Sequence, residues 1–312
     1  MTEPMKDEHY PGLFPSADAA SLSAQRVYLV LQRLYLGSLL VGGGMAAFSA
    51  LVRGAGSAWL HSALAIILAV GLFVLWVTRA RQDEKGWFDC RAVSESTKTA
   101  TWRFMMGAPP YQAGDSVEQR FVSELAQIRK ARPGFEKHLA GKIHASAAAI
   151  TEFMRTTRSQ PFESRKAFYL DQRLRDQKCW YSHNANMNAR VGHRWFWITV
   201  VLQALAVAMA IVRAASGGLA LNVVPFLTTC AAAAAAWSQM KRYDELTQSY
   251  SLAAQELGEL EAIASGLSDE ARFPQLVEQV EEAISREHTM WCARRDVQLP
   301  SPGGGRASRE EV

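Results

Sequence analysis

Arg91, Glu95, Lys98 and Trp102 follow one another at intervals of four, three and four residues. On an α-helix that spacing puts all four on one face. Two cations, a carboxylate and an indole in a row could form a binding face for a ligand. The plainer reading is a ladder of ion pairs that holds a helix in place. Near the C-terminal end Glu287, His288 and Cys292 sit close together, with the histidine and cysteine four apart. A metal centre needs more ligands than these, so they read as packing or solvent-facing groups. Cys90, Cys179, Cys230 and Cys292 are widely separated, with no C-x-x-C pair and no Cys/His ligand spacing of a metal site. That argues against a zinc site and against a disulfide framework. The chain shows no Ser/His/Asp set, no paired carboxylates in a recognisable frame and no dinucleotide fingerprint. It reads as a non-enzymatic protein that carries no cofactor.

Charge is divided unevenly. Residues 79–194 hold 21 Lys and Arg against 12 Asp and Glu, a net of +9, while residues 238–312 hold 8 against 14, a net of −6. Acidic C-terminal helices docking on a basic middle section would account for this, within or between subunits. Solvated faces and attraction to anionic lipid are the alternative. A positive section could also draw a nucleotide or nucleic acid, but no Gly-rich phosphate loop or aromatic-interleaved basic patch supports either.

The elements that must position these groups are dominated by apolar sequence. Residues 34–52, 59–78, 195–212 and 218–237 contain no Asp, Glu, Lys or Arg. Each is about 20 residues long, the length a helix needs to cross a hydrocarbon core. They pair into two hairpins with links of a few residues, each link holding one arginine (Arg53, Arg213). Arg26, Arg33, Arg79, Arg81, Lys85, Arg190, Arg194, Lys241 and Arg242 flank the other ends. Positive flanks stay in the cytoplasm, so both termini and the whole middle section are expected inside. Mean hydropathy is only −0.07 because long polar stretches dilute the spans.

After the second span a helix is expected to continue out of the membrane until Gly107, Pro109 and Pro110 stop it. Asp115–Glu118 reads as a capping box for a helix with the stripe Val117, Phe121, Leu125 and Ile128. Pro133-Gly134 ends that helix, and Phe135–Arg158 is helix-compatible. Ser164–Arg194 reads as one long helix feeding the third span, with Gly192 as a flex point. After the fourth span, Lys241–Ser265 continues with Tyr243, Leu246, Tyr250, Ala253, Leu257, Leu260 and Ala264 at coiled-coil spacing. A last helix runs from Phe273 to Arg295. The expected fold is an all-α membrane protein: four transmembrane helices in two hairpins, extended by a cytoplasmic helical bundle. It divides into a disordered segment 1–20, a first two-span module 21–110, a connector 111–160, a second module 161–298 and a disordered tail 299–312.

Two runs carry a family resemblance. Arg91-Ala-Val-Ser-Glu95-Ser-Thr-Lys98-Thr-Ala-Thr-Trp102, continuing to Pro110, resembles a bacterial membrane domain of the SLATT group. Tyr169-Leu-Asp-Gln-Arg173-Leu-Arg-Asp-Gln177-Lys-Cys-Trp180-Tyr181, followed by Trp195-Phe-Trp and a hairpin, resembles a second SLATT subtype, as does the closing Val280–Trp291. The resemblance spans about residues 24–298. It implies two-helix effector modules in tandem, in the bacterial inner membrane, that permeabilise it during anti-phage defence. It also implies an input from outside the chain: a nucleotide second messenger, or a separate sensor or nucleotidyltransferase protein. The group has no established catalytic residues to carry over.

A conduit needs polar or small residues around an axis. Asn222, Thr228 and Thr229 are the preferred lining candidates, with Gln203 and Gly43; close helix packing is the alternative for each. Four mostly apolar helices leave little room for a conduit within one chain, so a homo-oligomer, taken as a tetramer, is expected in the lipid bilayer. Arg91, Glu95, Lys98, Trp102, Arg173, Gln177 and Trp180 are the structural or regulatory candidates of the cytoplasmic side. The competing reading is a non-conducting membrane scaffold that recruits a cytoplasmic partner.

Overall fold

Two helices run without a break from the polar part of the chain into its apolar part. In the computed structural model, which describes residues 3–49, 51–52, 55–112, 114–139, 148–216 and 222–296, helix α1 spans Leu13–Ser49. Its only proline, Pro15, lies in the first turn, where a missing N–H costs nothing. The second long run, Phe162–Ala215, is built from α7 (Phe162–Tyr169), a π-helical segment (Leu170–Arg175) and α8 (Asp176–Ala215). At 1.5 Å per residue these runs measure about 55 and 80 Å.

The return helices behave differently. α2 (Ala55–Arg81) stops at Gln82, and α3 (Asp83–Met106) starts after it. α9 (Val224–Lys241) stops at Arg242, before α10 (Tyr243–Ser265). Gln82 has φ 53° and Arg242 φ 50°, so both sit in the left-handed region, which costs a residue with a Cβ about 1–2 kcal/mol. Unbroken helices are expected at both places from sequence. The structure instead has a kink in each module at the same point, just past the second apolar helix. The remaining helices are α4 (Val117–Lys130), α5 (Pro133–Leu139), α6 (Glu152–Arg158) and α11 (Phe273–Asp296).

Every regular element among the described residues is a helix. Three stretches among them, Leu13–Ser49, Ser57–Met106 and Phe162–Ala215, are long and apolar enough to cross a membrane. Their apolar windows are only 11%, 11% and 6% buried, so the side chains there face outward as lipid-covered ones do. Trp59, Leu72, Trp76 and Ile211 are all more than half exposed. The fourth apolar stretch begins within 217–221, outside the described residues; its remainder lies in α9, whose last turn carries Gln239 and Lys241.

In the apolar part, α1 packs on α2 and α9, and α9 packs on α8. In the polar part, α3 is central, touching α1, α4, α5, α6, α7 and α11, while α10 lies along α8. The core there is aromatic and sulfur-rich, with Trp102, Phe104, Tyr111, Phe121, Met154 and Tyr169 almost fully buried. The expected stripe of α4 faces inward through Val117, Phe121 and Leu125. So does the α10 seam, through Tyr243, Ala253, Leu257 and Ala264.

Some expectations change. Residues 3–20 are not a disordered lead-in. Tyr10, Phe14, Ala17 and Ala20 are buried at helical spacing, and the His9 ring stacks on Phe153 at 3.9 Å; the Pro, Ser and acidic content hides that stripe. α4 is capped at Ser116 without a side-chain hydrogen bond, and Glu118 pairs with Arg155 at 2.8 Å instead of closing a capping box. Gly192 is not a flex point: a Cβ there would lie 3.0 Å from Cβ of Tyr243, so the glycine lets α10 approach α8. The side chains of Glu287, His288 and Cys292, residues 53–54 of the first hairpin link, residue 217 of the second, and the tail beyond 296 lie outside the described residues.

Candidate functional site: the junction between the modules

The first motif run behaves as a ladder. Arg91 pairs with Glu95 at 2.8 Å and reaches Asp18 at 3.9 Å, and Lys98 lies 3.7 Å from Glu95. These contacts clamp α3 against α1, and the Lys98 ammonium sits 4.9 Å from the Phe14 ring centroid. One turn on, Trp102 turns inward. Its Nε1–H donates to the Tyr10 hydroxyl at 3.1 Å, and its ring meets Tyr169 edge-on at 5.8 Å.

From the second run, Arg173 is 2% exposed. It lies in the π segment, where Leu170, Arg173 and Leu174 are buried together on one face. Arg173 Nε and Nη2 donate to Glu281 of α11 at 2.9 and 2.7 Å. The same carboxylate accepts from the Tyr169 hydroxyl at 3.1 Å and from the Thr99 hydroxyl at 2.9 Å. Glu281 is fully buried, and a buried charge persists only when paired and hydrogen-bonded in this way. One side chain thus ties together α3, α7, the π segment and α11.

Burial would lower the pKa of Arg173, but the Glu281 charge and hydrogen bonds outweigh it and raise it. Burial pushes Tyr10 up to about 12 and Tyr169 well above the usual tyrosine value. The guanidinium therefore stays charged and both phenols stay neutral across physiological pH.

Beside this pair lies a polar cavity of about 240 Å³ lined by Asp7, Lys98, Trp102, Arg173, Asp176 and Gln177, among others. Four of the seven motif residues, two from each run, meet at its walls. Arg91 and Glu95 lie further along the ladder. Trp180 lies a turn further along α8, packed edge-on against Tyr250 at 5.3 Å. The acidic C-terminal section docks on the basic middle within one chain: Glu261 pairs with Arg175 at 2.7 Å and also with Lys178, and Glu270 pairs with Arg165 at 2.9 Å.

The lining candidates separate into two groups. A Cβ on Gly43 would lie 3.2 Å from the Thr229 side chain, so these two face each other where α1 meets α9. Thr228 is exposed on α9, its hydroxyl donating to the Pro225 carbonyl at 2.9 Å. Asn222 is half-buried with Oδ1 unbonded among the described residues, and Gln203 is exposed on α8. A group able to put three ligand atoms around a cation, Glu3, Glu8 and His9, lies on the N-terminal segment, where Lys6 pairs with both carboxylates.

Sequence reasoning missed Tyr10 and Glu281 as members of the junction. Glu281 had a readable signal: it interrupts the apolar stripe Val277, Val280 and Ile284 on its own face. Tyr10 had none, since it reaches Trp102 from a segment expected to be disordered.

Residues 11–166 match the model of the SMODS and SLOG-associating 2TM effector domain 3, and residues 169–291 match that of the SMODS and SLOG-associating 2TM effector domain 1. No curated protein and no solved structure matches the chain. The two matches abut at the end of α7, so Thr99 and Trp102 belong to one module, and Tyr169, Arg173 and Glu281 to the other. With one model covering half the chain and the second most of the rest, the chain belongs to the SLATT family of 2TM membrane effector domains and carries two of them, of different subtypes, in tandem.

Proposed function

We propose that this protein is a gated, membrane-permeabilising effector of a bacterial anti-phage conflict system, switched from the junction between its two modules. It sits in the inner membrane as a homo-oligomer. Four spans form two hairpins, with both termini and the helical bundle in the cytoplasm. The observation that carries the reading is continuity: α1 starts beside Tyr10 and Phe14 at the junction, α7–α8 passes through Arg173, and both run unbroken into the apolar section. A rearrangement at the junction therefore moves two membrane helices directly, with no loop to absorb it.

The cavity favours one kind of input. Its carboxylates Asp7, Asp171 and Asp176 outnumber its cations, and Arg173 is already neutralised by Glu281. A cationic side chain of a partner protein suits that charge better than a polyphosphate does. For the conduit, Thr228 and Asn222 are the lining candidates, while Gly43 and Thr229 hold α1 to α9. Expressing the Thr228→Leu and Asn222→Leu variants in bacteria and following membrane potential tests this. Loss of depolarisation with assembly intact supports a conduit. Depolarisation unchanged by both variants removes these residues from it, and a wild-type chain that never depolarises the cell leaves the scaffold reading.

A further inference from the structure

Gln203 lies midway between Trp195 and Val212 in the apolar run of α8. It is exposed and has no hydrogen-bond partner among the described residues. Phe196, Val200, Val207 and Ala210 flank it at intervals of four, three, four and three, and all are exposed. That is a heptad seam with a single amide at its centre. α8 already uses a neighbouring seam, through Gly192, Trp195, Thr199, Leu202, Ala206 and Met209, against the helices of its own chain.

Lipid tails cover valine and phenylalanine well but offer a carboxamide nothing. The amide needs a donor and an acceptor at the depth where it sits. Every copy of the chain has the same orientation in the bilayer, so the same residue lies at the same depth in each. A carboxamide is also self-complementary, since its N–H donates and its carbonyl accepts. We infer that this face of α8 is the seam between two copies of the chain, fixed in register by a Gln203–Gln203 amide pair at the bilayer centre. A single polar residue in an otherwise apolar seam sets register in this way. The inference rests on α8 crossing the bilayer and not on permeation.

Fluorescence energy transfer between donor- and acceptor-labelled full-length chains in lipid vesicles, titrated by lipid dilution, tests it without any flux measurement. Gln203→Leu should weaken self-association about 3- to 30-fold, the range expected for one interhelical hydrogen-bonded pair. Gln203→Asn should retain most of it, and Val201→Leu, on the opposite face, should leave it unchanged. Gln203→Leu associating as tightly as wild type overturns the proposal. An independent check is oxidative cross-linking: the thiol of Gln203→Cys should join two copies, and that of Leu205→Cys should not. Modification of the Gln203→Cys thiol by a membrane-impermeant reagent, without cross-linking, would put the residue on a water-filled path and overturn the seam.

Discussion

Replacing Glu281 by alanine removes the acceptor for Arg173, Tyr169 and Thr99 at once. Arg173 is then left charged at 2% exposure without its ion-pair partner. Breaking a buried pair from one side costs about 3–5 kcal/mol, and the orphaned Tyr169 hydroxyl adds about 1–3 kcal/mol. For a chain of this size the melting temperature should fall on the order of 10 °C, read by intrinsic fluorescence in detergent. The triple variant Arg173→Met/Tyr169→Phe/Glu281→Leu takes away the charges and the hydroxyl together. Similar side-chain volume without buried charge is neutral or stabilising in comparable cases. It should therefore melt within a few degrees of wild type while losing the polar tie between the modules. A Glu281→Ala protein that melts with wild type would show that this carboxylate is not a buried counter-ion. A triple variant as unstable as the single one would show that the cost is packing and not charge.

Other consequences are smaller. Gln82→Gly relieves a left-handed residue but adds chain entropy to the unfolded state, for a net gain of about 0.5–1 kcal/mol; Gln82→Val should destabilise, and denaturant titration separates the two. Gly43→Leu drives a side chain into Thr229 and should cost about 1–3 kcal/mol, seen as a lower melting temperature. Lys178 and then Arg175 hold the Glu261 carboxyl below the ordinary value of 4.5. A carboxyl lowered on folding stabilises fully above its unfolded pKa and loses that contribution as pH falls through the lower folded value. The wild-type melting temperature should therefore decline below about pH 4.5 more steeply than that of Glu261→Gln.

The apolar runs and the long helix over Ser164–Arg194 are legible because each is a local pattern: an uncharged window of membrane length, or an unbroken helical period without proline. The two kinks are not. Gln82 and Arg242 carry no glycine or proline signal, and each follows helix-compatible sequence on both sides. Their left-handed φ is imposed by packing, since α3 must turn back along α1 and α10 along α8. At the junction, spacing found one wall and the second motif run found the other. What joins them is a contact from position 173 to position 281, which no local period encodes. The order of the N-terminal segment escapes the sequence for the same reason, because Tyr10 and Phe14 find their partners Trp102 and Lys98 on α3.

The most direct measurement is electrogenic ion flux across liposomes reconstituted with the full-length chain, compared with the triple junction variant Arg173→Met/Tyr169→Phe/Glu281→Leu. If the junction governs a membrane conduit, the two proteins reconstitute equally and differ in flux. Vesicles that stay equally tight with both, or leak equally with both, contradict it.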